Sequence, residues 1–366
     1  MTLFNRLTNP QKTTVHRGHL SQHLPFHAPN QWYKFTHFSL IIPNLITPLH
    51  YLNLRVAMGQ SDIPILKNNL DSCYSNTDRV SVLSSTSPHM LAQQQCMSLR
   101  QECSIQPGAY QFSNQLLLTG DFPEFQLHQK HPELSFDLSV KTHAVISYPI
   151  KKILGLYKYW SLMSECEGEV IFKGQHYSIS HIGSLEYSRI VNFPYLNIFF
   201  YTYQLIQLEN QQQLMLIHIR NHFNQIIQSK ILVRDLNSNS VKGYEQSVLF
   251  KVLRVYPAVK TPDHREMYLV REFEWRFKNA KDEIYIHGVC RGDFKYGLGA
   301  GFVGSFSYHV QINNVSEFGE AGYCEYIDCR PLRWQTIDER EKKIALIEQT
   351  LPIALRNEKN FGQEKE

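Results

Sequence analysis

The chain has 366 residues, with 37 Lys and Arg against 33 Asp and Glu, so its formal net charge is +4 with histidine neutral. Hydrophobic residues make up 43%, aromatics 12% and charged residues only 19%, which excludes a disordered chain, since disorder needs high net charge and few aromatics. The length favours two domains, and a pI near 8.5 without basic runs leaves no footprint for nucleic acid.

The first 27 residues carry Arg6, Lys12 and Arg17 and hold no uninterrupted apolar stretch, so they read as lacking a secretory signal. His16, His19, His23 and His27 repeat at three and four residues, and imidazole does bind zinc. Gly18 and Pro25 oppose the helix that would align them, and no metal or other cofactor is expected. The apolar stretch from Phe38 to Leu49 is interrupted by Pro43, Asn44 and Pro48 and falls short of the roughly 20 residues that span a bilayer. No integral membrane segment is predicted. The seven cysteines are odd in number and lack framework spacing, which favours free thiols and a cytoplasmic location.

From Gly59 to Gly108 the chain is rich in Ser, Asn, Gln and Asp. Long loops are expected there, with one clear strand at Val80–Ser84 and a short helix near Met90–Gln95. Period-two segments follow at Tyr110–Ser113, Leu116–Gly120, Phe125–His128, Leu134–Val140 and Ala144–Tyr148. In the fourth of these Leu134, Phe136, Leu138 and Val140 share one face while Ser135, Asp137 and Ser139 share the other, as a half-buried strand requires. Asn197–Leu208, Leu214–Arg220 and Ile226–Arg234 form a predicted meander, and longer strands are expected at Ser247–Val255, Met267–Phe277 and Glu283–Cys290. Each half thus offers about eight strands, the number that closes a small barrel. Thr336 to Glu339 has capping-box spacing, and Ile344, Leu346, Ile347 and Leu351 continue at helical intervals. A C-terminal helix is therefore predicted, ended or kinked at Pro352.

A strand pair recurs once per half. Gly168-Glu-Val170 leads to Tyr177 and then Gly183-Ser-Leu-Glu-Tyr187; Gly301-Phe-Val303 leads to Tyr308 and then Gly319 to Glu325-Tyr326. Such recurrence is what a duplicated β-domain produces. Together with Gln31-Trp-Tyr33 before the first long strand and Phe273-Glu-Trp-Arg-Phe277 late in the chain, these segments resemble the tandem lipocalin-like (calycin) superfamily. That group contains carotenoid 1,2-hydratases, AttH-like bacterial proteins and lipocalin-type Diels–Alderases, and the resemblance points to a bacterial branch. Gln31 stands where the family often has Glu, and Tyr33 replaces the second aromatic of a pair.

The resemblance implies an all-β fold of two tandem lipocalin-like antiparallel β-barrels with a C-terminal helix. The expected division is an extension over 1–30, barrels over 31–192 and 193–335, and the helix and tail over 336–366. It also implies an apolar pocket in one barrel or at the junction, and in the hydratases a pocket carboxylic acid that protonates an alkene. Such an acid stays protonated only in an apolar setting.

Glu186 and Glu325 are the candidate acids, with Trp32, Tyr33, Tyr187, Trp275 and Tyr326 as candidate ligand contacts. Adjacent strand residues face opposite sides, so only one member of each Glu-Tyr pair can enter a barrel. The competing reading for each Glu is an ion pair with Arg189 or Arg330, and for the aromatics plain core. Asp263, His264 and Glu266 are expected in a solvated turn. Gly299-Ala-Gly-Phe-Val-Gly304 matches the dinucleotide fingerprint by letter, but an alternating strand follows where that fold needs a helix. Gly288-Val-Cys-Arg-Gly292 likewise lacks the helix of a nucleophile elbow.

The expected function is binding of a lipophilic, isoprenoid- or acyl-like small molecule without turnover. The alternative is an acid-assisted hydratase, isomerase or cyclase. A carbohydrate-binding β-sandwich explains neither the size nor the duplication.

Overall fold

The computed structural model describes residues 14–16, 26–67, 74–75, 77–88, 95–150, 157–191 and 197–335. It is built from two eleven-stranded antiparallel sheets, one a nearly closed barrel and the other a half-barrel. In the first sheet the strand Tyr33–Ile42 pairs on one side with Leu52–Gly59 and on the other with Gln175–Val191, the last strand of that half. The second repeats the plan: Phe200–Gln207 lies between Gln212–Arg220 and the last strand, Val315–Asp328. The duplication read from sequence is therefore a duplication of topology. The Glu-Tyr pairs occupy equivalent last strands, whereas the Gly-x-Val segments do not correspond: Val170 lies opposite Tyr177 and Val303 opposite Glu325.

Leu134, Phe136, Leu138 and Val140 are buried and alternate with more exposed residues, as their period demands, but this strand runs on through a bulge to Ser147. The polar region after Gly59 holds more strand than expected, with Arg79–Ser85, Gln95–Ser98 and Cys103–Gln106. Thr14–His16 adds an edge strand to the second sheet. The predicted helix at 336–357 lies outside the described residues, and the described helix is the single turn Leu332–Gln335. No helix among the described residues is long and apolar enough to cross a membrane.

Three apolar layers result. One fills the first sheet's concave side and includes Phe38, Leu40, Leu54, Trp160 and Tyr187. A second fills the other sheet around Phe250, Phe273, Trp275 and Phe306. A third joins the sheets back to back, with Ile41, Tyr51 and Met163 meeting Tyr201, Leu205, Ile217 and Ile327. Phe200–Gln207 is consequently buried at every position. Strands covered on both faces lose the alternation that a half-buried strand shows.

Tight curvature in the second sheet is met by glycines under aromatic rings. A Cβ at Gly288 would lie 2.3 Å from the Phe273 ring, and Gly319 and Gly322 are covered in the same way by Tyr308 and Phe306. This explains Gly288 without any nucleophile elbow. Gly288→Ala is expected to cost about 1–3 kcal/mol through overpacking, measurable by chemical denaturation; an unchanged midpoint would mean that Phe273 yields freely. Gly299 has φ +52°, and a Cβ there would meet the Ile65 carbonyl at 2.4 Å, so its loop packs against the first half and leads into a strand.

Candidate functional site

Because consecutive strand residues face opposite sides, each Glu-Tyr pair is split between two layers. Tyr187 enters the first interior, 5.5 Å from Phe26 and 5.4 Å from Trp160 between ring centres. Tyr326 enters the second, 5.4 Å from Phe200. Trp275 is fully buried there, and its Nε1 donates to Gln204 Oε1 at 3.1 Å. Glu186 and Glu325 turn the other way, into the layer between the sheets, with 1% and 0% exposure. Trp32 is 68% exposed. The Arg189 guanidinium stacks 4.3 Å from the Tyr33 ring and Arg330 binds Asp328 at 2.6 Å, so neither arginine pairs with its neighbouring glutamate. Asp263, expected in solvent, is covered and bound to Arg265 at 2.6 Å.

The register aligns Ser161, Glu186, Ser39 and Arg55 in one cross-strand row of the first sheet, and Val303, Glu325, Tyr203 and Ile217 in one row of the second. The rows bond crosswise. Arg55 Nη2 donates to Glu325 Oε1 at 2.6 Å, while the Tyr203 hydroxyl donates to Glu186 Oε1 at 2.7 Å. Glu186 also accepts from Tyr159 at 2.6 Å and from Ser184 at 2.9 Å, and Glu325 accepts from Tyr323 at 3.0 Å. A second buried guanidinium, Arg234, donates to Ser161 Oγ at 2.7 Å and to Gln213. Two carboxylates and two guanidiniums thus balance in a layer where an unpaired charge would be costly.

Burial pushes the Glu325 carboxyl up from its ordinary range; Arg55 opposes this and the charge of Glu186 adds to it. Burial and then the Glu186 charge raise the Tyr159 phenol well above its ordinary value, so it acts as a hydrogen-bond donor that holds its proton. Burial, reinforced by Arg55, drives His37 well below the ordinary histidine value.

Beside this network lies a pocket whose empty volume, opening included, is about 690 Å³. Its walls are isoleucines from both halves, among them Ile63, Ile65, Ile190, Ile219 and Ile327, and its polar surface is His37, Arg55, Tyr157, Tyr159 and Tyr201. Arg55 and Tyr159 contact the two carboxylates directly and also line the pocket. Glu186, Glu325 and the five aromatics named from sequence are not among its lining residues. The sequence reading missed Arg55, His37, Tyr159, Tyr203 and Arg234. For the two tyrosines the signal was the Tyr-x-Tyr spacing at Tyr157/Tyr159 and Tyr201/Tyr203, an unusual choice for a face that only meets water. A second polar bridge joins the halves: Ser87 Oγ donates to Asp293 at 2.5 Å, and Lys295, pushed down to about 8 by burial, donates to the Ser87 carbonyl at 3.0 Å.

The two repeated sheets joined through their backs define a tandem lipocalin-like fold. The chain belongs to a family of unknown function, DUF6670, whose model matches residues 56–343. No curated protein matches it. Among solved structures it is similar to an AttH-like protein from Nitrosomonas europaea, with TM-score 0.61 and 11% identity over 88% of this chain and 99% of that one. Kievitone hydratase from Nectria haematococca gives TM-score 0.52 and 12% identity, covering 88% and 97% of the two chains. CghA, solved with Sch210972, gives 0.50 and 7%, covering 81% and 89%. At such identities the likeness establishes the fold, and it is the fold that the sequence resemblance implied.

Proposed function

We propose that the protein binds a lipophilic, isoprenoid- or acyl-like small molecule in the pocket between its two sheets. The observation that carries this reading is the composition of that pocket: an isoleucine wall with a few convergent polar groups, the lining that small-molecule sites have. The sheet interiors support it by contrast, since rings such as Phe26 and Trp160, or Phe250 and Trp275, pack there at 4.8–5.9 Å. N-phenyl-1-naphthylamine, a neutral apolar dye, is expected to bind and brighten. Ile219→Trp, which fills the pocket, should weaken that binding at least about 10-fold, whereas Phe318→Ala on the exposed face should not. Equal binding in wild type and Ile219→Trp would remove the pocket from consideration.

A second reading, acid-assisted hydration, isomerisation or cyclisation, is favoured by the buried Glu325, whose carboxyl burial pushes up from its ordinary range, and by the hydratase among the structural neighbours. On this reading Glu325 and Glu186 form the acid network, Tyr159 joins Glu186 to the pocket wall, and Tyr159→Phe stops deuterium uptake from D2O into an alkene ligand.

A further inference from the structure

Two hydrogen-bonding atoms on the pocket wall have no partner among the described residues: His37 Nε2 and Arg55 Nε. His37 Nδ1 lies 2.6 Å from Ser188 Oγ. Where Ser188 donates its single hydroxyl proton to Nδ1, the imidazole proton sits on Nε2, which becomes a donor. Arg55 gives Nη2 to Glu325, leaving Nε–H as a second donor. Buried donors are rarely left unmet.

We propose that the occupant of this pocket is a neutral lipophile carrying an accepting oxygen, a carbonyl or hydroxyl, at the end that meets His37 and Arg55. This rests on the pocket reading above. A hydrocarbon would leave both donors unmet. A carboxylate would bring a charge with no cation of its own, because Arg55, the one guanidinium or ammonium group among the described lining residues, is already paired with Glu325.

The test uses one carbon skeleton with four head groups. Farnesal, farnesol, farnesene and farnesoate are titrated against N-phenyl-1-naphthylamine bound to the full-length protein. Farnesal and farnesol are expected to displace the dye at least about 10-fold better than farnesene or farnesoate. His37→Leu should bring farnesal down to the level of farnesene while the dye still binds, and His37→Gln, which keeps an N–H donor, should restore part of the preference. Farnesene or farnesoate matching farnesal, or a preference untouched by His37→Leu, would overturn the inference and leave the pocket standing. Failure of the dye and all four ligands to bind would overturn the pocket reading and this inference with it.

Discussion

Arg55→Met is expected to destabilise the protein by about 3–5 kcal/mol, the usual cost of removing one partner from a buried pair. The size follows from what remains. Glu325 is wholly buried, its Oε2 already has no partner among the described residues, and the loss of Arg55 strips Oε1 of its charged donor. The double change Arg55→Met with Glu325→Met should recover most of the loss, because a pair replaced by apolar residues leaves no stranded charge. Guanidinium denaturation of the two single variants and the double variant closes the cycle. A loss below about 1 kcal/mol for Arg55→Met would mean that the pair behaves as a surface salt bridge.

Acidification should be the second large effect. His37 and His218 are buried, and both are driven well below the ordinary histidine value, first by burial and then by neighbouring arginines. His218 Nε2 accepts from Arg220 Nε at 2.7 Å, and Nδ1 lies 3.1 Å from Ser229 Oγ, an arrangement with no room for a second proton. The unfolded chain takes up these protons near pH 6.5 while the folded chain does not. Their stabilising contribution is therefore full above 6.5 and falls below it by about 1.4 kcal/mol per pH unit for each histidine. Between pH 7.5 and 5 each histidine that stays neutral in the fold costs up to about 2 kcal/mol. Glu325 and Asp328 act in the opposite sense, because their carboxyls are raised by burial and take up protons in the folded state before the unfolded chain does. Their offset grows as pH falls from those raised values towards 4.5, so the loss is steepest above that window. Denaturation midpoints from pH 7.5 to 5 test this. His218→Phe should flatten the slope by about half, and a flat wild-type profile would refute the account.

Both predictions concern residues whose burial was hidden in the sequence. In Leu52-Asn-Leu-Arg-Val-Ala-Met58 the apolar positions alternate with Asn53 and Arg55, and a half-buried strand with a wet face is the natural reading. Leu52, Leu54 and Val56 do face the interior. The other face meets the second sheet, so Asn53 is fully buried and the Arg55 side chain, 14% exposed, lies against Glu325. The same holds for Tyr159 and Ser161, whose polar edges bond Glu186 and Arg234. Glu186 and Glu325 were legible because a repeat marked them. Their partners come from the opposite half, 270 positions away in the case of Arg55 and Glu325, and no local pattern carries that distance.

Period-two patterning by itself determined that this chain builds β-sheets, and the recurrence of Glu-Tyr near the end of each half determined that it builds them twice. Both follow from backbone geometry, since side-chain direction alternates along any strand and a repeated strand order repeats its last strand. Only the tertiary structure decided which face of each sheet meets water. Two backs pressed together turn polar positions into a buried network of charges and hydroxyls beside an apolar pocket, because a charge in a dry layer is costly unless an opposite charge or a donor faces it.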